Sequence, residues 1–255
     1  MTPGVCLVTD FGRADSYVAE LHLAIHARVP GVRVIDVTHD LAPFDRRGAA
    51  LAIERALAEM AFGDALVAVV DPGVGTSRAR LVARVRGRYC VGPDNGILPI
   101  LKGAEVWKIE RPTPRGGVST FDGREVFGPV GAMLAAGLSP ALVGSRWESA
   151  APWVMPPDAP FESSGASRYA RGVVIALDRY GNAVTSVRLP PGVAPSRAEI
   201  VSPERFAGPL RTSYGSVVAG EPLALVGSSG RVELAVAKGP SGLAVDTEVV
   251  VRCAG

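Results

Sequence analysis

Hydrophobic and polar positions follow a strand-helix-strand-helix-strand pattern in the first part of the chain. Short runs of β-branched and other apolar residues alternate there with segments typical of helices. The predicted elements, in order, are Val5–Thr9, Ser16–Ala27, Val32–Val37, Arg47–Met60 and Ala65–Val70. This order predicts an α/β domain with a mostly parallel sheet and helices on its faces.

The pattern after the third strand predicts the remainder of this domain. Apolar and polar residues alternate over Leu81–Val91, and a turn-rich sequence at Pro93–Gly96 leads into the apolar run Ile97–Leu101. Small apolar residues at Gly128–Leu138 predict a further helix. We expect the α/β domain to span residues 1–145.

The second half of the chain carries a different pattern. Residues 146–168 are rich in Pro, Ser, Ala and Gly, which predicts an extended linker. Over residues 169–255, short strand-like runs recur between turns without a convincing helix, and this spacing predicts a small all-β, barrel-like domain. The runs are Val173–Leu177, Ala183–Val187, Glu199–Val201, Leu223–Val226, Val232–Ala237 and Glu248–Arg252.

Composition narrows the class of protein. The chain has 255 residues and a hydrophobic content of 47%, enough for a substantial core. Because 27 basic residues nearly balance 25 acidic ones, the chain has no strong field to attract nucleic acid. No apolar run approaches the roughly 20 residues of a membrane helix, and no signal peptide precedes the first strand. We expect a soluble protein that binds neither nucleic acid nor membrane.

Neither the cysteines nor the histidines have the spacing of a metal site. The three cysteines are Cys6, Cys90 and Cys253. Their odd number argues against a disulfide framework and fits the reducing cytoplasm. His22 and His26 lie at helical spacing, but His39 is remote and no HExxH motif accompanies them. The sequence therefore predicts no metal ligands.

Polar clusters follow each of the first three predicted strands. They are TDFGRAD at Thr9–Asp15, THDLAPFD at Thr38–Asp45 and DPGVGTSR at Asp71–Arg78. In open α/β sheets, ligands bind at the carboxyl ends of the strands. We therefore expect these three clusters to face one crevice.

Seven segments, taken in order, resemble the S-adenosyl-L-methionine (SAM) hydrolases, or SAM hydroxide adenosyltransferases, which are related to the fluorinase and chlorinase enzymes. The segments are Thr9–Val18, Asp36–Asp45, Val69–Arg78, Val91–Leu98, Ser119–Pro129, Leu177–Ser186 and Gly227–Gly239. The resemblance spans nearly the whole chain. It implies an α/β domain followed by a β domain, and a homotrimer with active sites between neighbouring subunits. It also implies hydrolysis of SAM at ribose C5′ to adenosine and L-methionine, with no cofactor.

Three residues are catalytic candidates by this resemblance. The halogenating relatives carry an aromatic hydroxyl where this sequence has Asp71, whereas the hydrolases carry Asp with Arg seven residues later, at Arg78. A carboxylate would repel a halide but can orient water, so Asp71 favours hydrolysis. The third hydrolase residue is normally His and is here Asp122. We hypothesise that Asp71 and Asp122 flank Arg78, one pairing with the guanidinium and the other accepting a hydrogen bond from the attacking water.

The resemblance also implies substrate-binding residues in the first domain. Asp10 matches the ribose-diol residue, since one carboxylate can accept from both hydroxyls. Asp15 and Tyr17 match positions near the methionine end, and Phe44 and Phe121 match aromatic residues packed against the substrate. The full set of candidates is Asp10, Asp15, Tyr17, Phe44, Asn95 and Phe121. In the alternative interpretation, Asp10 is a turn or helix-cap residue and the phenylalanines belong to the core.

The second domain carries further substrate-binding candidates. Asp178 suits the substrate ammonium, and Asn182 can donate to and accept from the adenine edge, although it could also be a turn residue. Tyr180 replaces the Phe of the family motif between them. Ser228 and Ser229 match positions that contact the methionine portion.

Two other functions stay open on the sequence. A halide-dependent adenosyltransferase would form 5′-chloro-5′-deoxyadenosine when chloride is supplied. A catalytically weakened protein that binds SAM or a nucleoside is suggested by the missing His at position 122, and it would bind its ligand without turnover.

Overall fold

The structure is a computed structural model that describes residues 3–100, 104–110 and 120–254. The chain divides into two compact units, Met1–Val154 and Met155–Gly255. The division lies within the segment predicted to be a linker. Two residues of the sequence predictions, Leu101 and Ser119, lie outside the described residues.

A seven-stranded mixed sheet forms the centre of the first unit, in the order β2-β1-β3-β5-β4-β6-β7. The strands are β1 (Gly4–Thr9), β2 (Arg33–Thr38), β3 (Ala65–Val69), β4 (Arg80–Val85), β5 (Arg88–Pro93), β6 (Glu105–Ile109) and β7 (Gly144–Arg146). Strands β2, β1, β3 and β5 pair in parallel, whereas β5, β4, β6 and β7 pair antiparallel. The α/β architecture is thus confirmed, but the predicted parallel pairing holds for one half of the sheet only.

The antiparallel half begins with the hairpin of β4 and β5. In the sequence, this hairpin corresponds to the single alternating stretch Leu81–Val91. Arg86 and Gly87 both have positive φ, 48° and 75°, and join β4 to β5. A two-residue turn of this kind matches the right-handed twist of the strands and reverses the chain directly. A parallel connection would instead need a longer crossover segment.

Helices cover both faces of this sheet, as predicted. They are α1 (Tyr17–Arg28), α2 (Arg46–Glu59) and α3 (Gly128–Ala135), and a π-helical turn, Gly123–Phe127, precedes α3. Helices α1 and α3 pack in one core with Val5 and Leu7 of β1. Helix α2 packs in a second core with Cys6 and Val8, so alternate residues of β1 serve opposite cores. Among the described helices, none is long and apolar enough to cross a membrane.

Glycines in α3 allow this helix to approach its neighbours closely. A Cβ atom at Gly131 would lie 2.4 Å from Val67 Cγ2. We expect Gly131→Ala to lower the free energy of unfolding by about 1–3 kcal/mol, because the added methyl overpacks the core. Urea denaturation measures this change. The control Gly215→Ala, whose Cβ would lie 3.8 Å from the nearest atom, should unfold as the wild type does; equal stability of the two variants would contradict the prediction.

The second unit is an antiparallel β structure that nearly closes on itself. Its strands are β8 (Phe161–Ser164), β9 (Ser167–Leu177), β10 (Ala183–Arg188), β11 (Ala198–Ser202), β12 (Gly208–Pro209), β13 (Pro222–Val226), β14 (Arg231–Val236) and β15 (Glu248–Ala254). The sheet order is β12-β11-β15-β9-β10-β14-β13, and β8 pairs with β9. Arg211, just after β12, bridges to Leu225 of β13. This arrangement confirms the all-β, barrel-like prediction.

Candidate active site

The carboxyl ends of neighbouring parallel strands place the three polar clusters at one edge of the sheet. Thr9 pairs with Val69, so Asp10 and Asp71 follow the ends of adjacent strands. On the other side of β1, Val8 pairs with Thr38, which is the first residue of the THDLAPFD cluster. The three clusters therefore follow strand ends at one edge of the sheet, whereas their facing one crevice stays a prediction.

A buried ion cluster forms around Arg78. Arg78 Nε lies 2.9 Å and 3.0 Å from the two carboxylate oxygens of Asp71, and its Nη2 lies 2.5 Å from Asp122 Oδ2. The side chains of Asp71, Arg78 and Asp122 are 5%, 10% and 1% exposed. Arg78 does lie between the two carboxylates, as hypothesised. However, both carboxylates pair with the guanidinium, whereas the sequence hypothesis assigned this pairing to only one of them.

Arg80 is a further member of this cluster and was not among the sequence candidates. Its Nε lies 2.9 Å from Asp122 Oδ2, and its Nη2 lies 2.8 Å from Asp122 Oδ1. Residues two apart in an extended segment point to the same face. The spacing of Arg78 and Arg80 could therefore have suggested that both side chains contact the same group. The sequence alone did not show that this group is Asp122.

The hydrogen bonds of the cluster distinguish its carboxylate oxygens. Asp71 Oδ1 accepts from Gly73 N at 3.1 Å as well as from Arg78, and Asp122 Oδ2 accepts from both arginines. Asp122 Oδ1 is buried and accepts no hydrogen bond within the described chain, because its close contact with Arg80 Nη2 is poorly aligned. Burial opposes the charge of Arg78, but its hydrogen bonds with Asp71 and Asp122 raise its pKa above the ordinary value. Arg78 therefore stays a cation.

Asp10 contacts the segment that carries Phe44. The backbone N–H of Phe44 donates to Asp10 Oδ2 at 2.8 Å. Phe44 has a φ of +65°, and its side chain is largely exposed. The carboxylate of Asp10 thus fixes the backbone of this segment while the Phe44 ring points away from the core.

Two of the predicted aromatic and polar residues meet in an aromatic cluster. The ring centroids of Tyr17 and Phe121 are 5.4 Å apart, and Phe11 lies 6.1 Å from Tyr17 and 5.3 Å from Phe121. Phe11 was not among the sequence candidates, although it follows Asp10 directly. Asp15 is exposed on the segment between Phe11 and Tyr17. The rings form an apolar surface near the end of β1.

Asn95 supports the chain next to Asp71. Its Nδ2 donates to the carbonyl oxygen of Val70 at 2.8 Å, and its Oδ1 accepts from Ile97 N at 3.3 Å. These contacts connect the turn after β5 to the residue that precedes Asp71. A direct role of Asn95 in substrate binding stays a prediction.

In the second unit, Asp178 and Asn182 lie in the turn between β9 and β10. The carboxylate of Asp178 accepts from Tyr180 N at 2.8 Å and from both the backbone N and the Nδ2 of Asn182 at 2.9 Å. Asn182 is buried, whereas Tyr180 is exposed. The turn interpretation thus accounts for these contacts, and the predicted contacts with substrate stay untested.

Two further contacts connect this turn to β14. Asn182 Nδ2 lies 3.4 Å from the Tyr214 hydroxyl, which donates to Glu233 Oε2 at 3.1 Å. Neither Tyr214 nor Glu233 was a sequence candidate. Ser228 is exposed, while the Ser229 hydroxyl is buried without a hydrogen bond to the described residues.

We expect Asp178→Ala to destabilise the second unit by about 1–3 kcal/mol, because the variant loses a charged acceptor of several hydrogen bonds. Urea denaturation followed by circular dichroism measures the loss. Asp178→Asn is the matched control, since an Asn side chain can form the same kind of turn and should retain more of the stability. If both variants unfold as the wild type does, the carboxylate does not stabilise the turn.

The three cysteines are free and buried. Burial, with a smaller effect of Asp64, raises the pKa of Cys6 to about 11, and burial raises the pKa of Cys90 to about 12. Both groups are thus thiols at neutral pH, and thiols are poor nucleophiles.

Comparisons with known proteins match both units to the same family. Residues 5–144 match the SAM hydroxide adenosyltransferase N-terminal domain, and residues 172–247 match the C-terminal domain of the same family. A Thermus thermophilus protein named (R)-S-adenosyl-L-methionine hydrolase is 36% identical over 92% of this chain and 92% of its own length. A Salinispora tropica protein of the same name is 35% identical over 92% of this chain and 90% of its own length.

Solved structures share the fold. An uncharacterized conserved protein from Thermotoga maritima aligns with a TM-score of 0.84 at 29% identity, covering 98% of this chain and 99% of its own. A conserved hypothetical protein from Thermus thermophilus aligns with a TM-score of 0.76 at 33% identity, with the same coverage of both chains. Since the matches extend over nearly all of both units, this chain belongs to the SAM hydroxide adenosyltransferase family.

Proposed function

We propose that this chain hydrolyses S-adenosyl-L-methionine at ribose C5′, giving adenosine and L-methionine. The names of the related hydrolases support this function. Within the chain, the observation that carries it is the buried cluster of Asp71, Arg78 and Asp122. Because the names of these relatives specify the (R) form, we propose that the (R) sulfonium epimer is the substrate.

The reaction needs only SAM and water as reactants. The water oxygen forms a bond to C5′ while the C5′–S bond breaks. The electron pair of the C5′–S bond passes to sulfur, which leaves as the neutral thioether of methionine. One proton leaves the attacking water through the Asp122 carboxylate to solvent, which balances the loss of the sulfonium charge. The protein must hold water, C5′ and sulfur in line, and a rigid grip on the substrate supplies this alignment.

Asp122 Oδ1 is the acceptor for the attacking water in this proposal. It is the carboxylate oxygen of the cluster that no hydrogen bond within the described chain occupies. Arg78 and Arg80 both donate to the other oxygen, Oδ2, while Arg80 Nη2 also lies 2.8 Å from Oδ1. Asp71 fixes Arg78 by contacts with both of its oxygens. Asp122 thereby takes the place of the His that the family motif carries.

The remaining candidates bind the substrate in this proposal. In the first unit, Asp10 accepts from the ribose diol, Phe44 and Phe121 pack against the nucleoside, and Asp15 and Tyr17 lie near the methionine end. Asn95 completes this set. In the second unit, Asp178 binds the substrate ammonium, and Ser228 and Ser229 contact the methionine portion. Asn182 forms hydrogen bonds with the adenine edge, and Tyr180 supplies a further contact with the substrate.

The proposed assembly is a cytoplasmic homotrimer with each active site between neighbouring subunits. It is built from residues 1–145 and 169–255, joined by the linker 146–168. The free, buried cysteines suit a reducing compartment. Light scattering tests the trimer. Coexpression of Asp122→Asn and Asn182→Ala chains tests the shared site, because mixed trimers should regain activity that neither variant has alone.

Product analysis tests the activity. The purified chain is incubated with the separated (R) and (S) epimers of SAM in chloride-free buffer, and the products are identified by chromatography and mass. Adenosine and methionine from the (R) epimer, lost in Asp71→Ala, are expected. Formation of 5′-chloro-5′-deoxyadenosine only when chloride is added would identify a halogenating enzyme. Intact SAM retained on the protein would identify a binding protein.

A further inference from the structure

Three potential metal ligands lie close together. They are His22 on α1, Asp36 on β2, and His39, which follows β2. His22 Nε2 and His39 Nε2 lie 2.8 Å and 3.0 Å from the same oxygen, Asp36 Oδ1. One ligand atom from each of the three residues lies within 4.8 Å of the others. The sequence predicted no metal ligands, because His39 is remote from His22 and His26 and no HExxH motif accompanies them. Folding of α1 against β2 brings them together.

His39 is the buried member of this group. Its side chain has no exposed surface, and the polar contact of its Nε2 is with Asp36 Oδ1 at 3.0 Å, without the alignment of a good hydrogen bond. The other ring nitrogen, Nδ1, lies 2.8 Å from the Thr9 hydroxyl, which fixes the orientation of the ring. A buried nitrogen whose polar contact is poorly aligned is incompletely satisfied, and a metal ion between it and the carboxylate would satisfy both. A metal-bound His typically has its second nitrogen fixed in this way.

We propose that His22, Asp36 and His39 bind one divalent transition-metal ion. Such ions lie about 2.0–2.2 Å from imidazole nitrogens and carboxylate oxygens. With ligand atoms separated by 2.8 Å and 3.0 Å, the two N–metal–O angles would be about 90°, the angle between adjacent ligands of an octahedral ion. The side chains of His22 and Asp36 are 30% and 29% exposed, which leaves a path for the ion and positions for water.

The ion would have a positioning role. It would join α1 to β2 and fix His39, whose carbonyl oxygen accepts from Gly12 N at 2.8 Å. His39 also begins the segment that leads to Phe44 and its contact with Asp10. The site is independent of the proposed hydrolysis and can be tested without an activity assay.

Calorimetric titration of the untagged, chelator-treated full chain with Zn²⁺ tests the proposal. One ion per chain is expected to bind. Asp36→Asn and His22→Ala should each weaken binding by more than about 100-fold, and Thr9→Val by about 10-fold to 100-fold, since it removes the group that fixes His39. Circular dichroism of each variant verifies that the fold is intact. With Co²⁺ in place of Zn²⁺, the same variants should change the visible absorption spectrum.

His26 supplies the matched control. It lies one helical turn from His22, with ring centroids 6.4 Å apart, and is not part of the proposed group. His26→Ala should bind Zn²⁺ as the wild type does. Loss of binding in His26→Ala with no change in Asp36→Asn would identify a simple histidine pair on α1 and overturn the proposal. Absence of stoichiometric binding by the wild type would also overturn it.

Discussion

Asp122→Asn is expected to lower kcat for SAM hydrolysis by about 10²- to 10⁴-fold, the usual contribution of a positioned acid or base. The amide keeps the size of the side chain but removes the negative charge that makes Asp122 Oδ1 a strong hydrogen-bond acceptor. KM should change far less than kcat, since the substrate-binding candidates are untouched. Steady-state kinetics with adenosine as the measured product gives both constants.

The control for this variant is Asp40→Asn. Asp40 is an exposed carboxylate that lies 3.5 Å from Arg13 on the surface, so its loss should leave kcat unchanged. If Asp122→Asn retains wild-type kcat and pH profile, Asp122 is not the water acceptor, and the acceptor must be sought elsewhere at the edge of the sheet.

Arg78→Met is expected to lower the free energy of unfolding by about 3–5 kcal/mol, because removal of one partner of a buried ion pair leaves uncompensated charge. Two carboxylates are affected, since Asp71 and Asp122 are 5% and 1% exposed. Hydrolysis should also be lost. Urea denaturation at neutral pH gives the free energy, and product analysis gives the activity.

Arg80→Met is the matched comparison for this prediction. The Arg80 side chain is 35% exposed, and Asp122 retains Arg78 when Arg80 is removed. Its destabilisation should therefore be clearly smaller than that of Arg78→Met. Equal stability of the two variants would mean that water or neighbouring groups solvate the carboxylates once Arg78 is gone.

Local patterns were sufficient for most of the fold. The first three strands and three helices were predicted within a few residues, because their apolar periods reflect burial on one or both sides. Strand β6 at Glu105–Ile109 was missed, since five residues with charges at 105 and 108 do not show a clear alternation. Strand β7 has only three residues, and its place is determined by pairing with β6 rather than by its own sequence.

In the candidate site, only the residues that belong to family motifs could be predicted from the sequence. Asp71, Arg78 and Asp122 came from the family resemblance, and the structure brings these three together. Arg80 and Phe11 lacked a distinguishing pattern, because their importance depends on neighbours remote in sequence. The group around Asp36 was missed for the same reason, as its contacts cross from a helix to a strand.

The pairing of Arg80 with Asp122 couples the amino acids that positions 80 and 122 can hold. A neutral imidazole at position 122 could be buried without a second cation, whereas a buried carboxylate benefits from one. Asp at position 122 should therefore be tolerated best when Arg80 is present. Residues 80 and 122 should accordingly be epistatic, and His at position 122 should be accepted better when Arg80 is replaced at the same time.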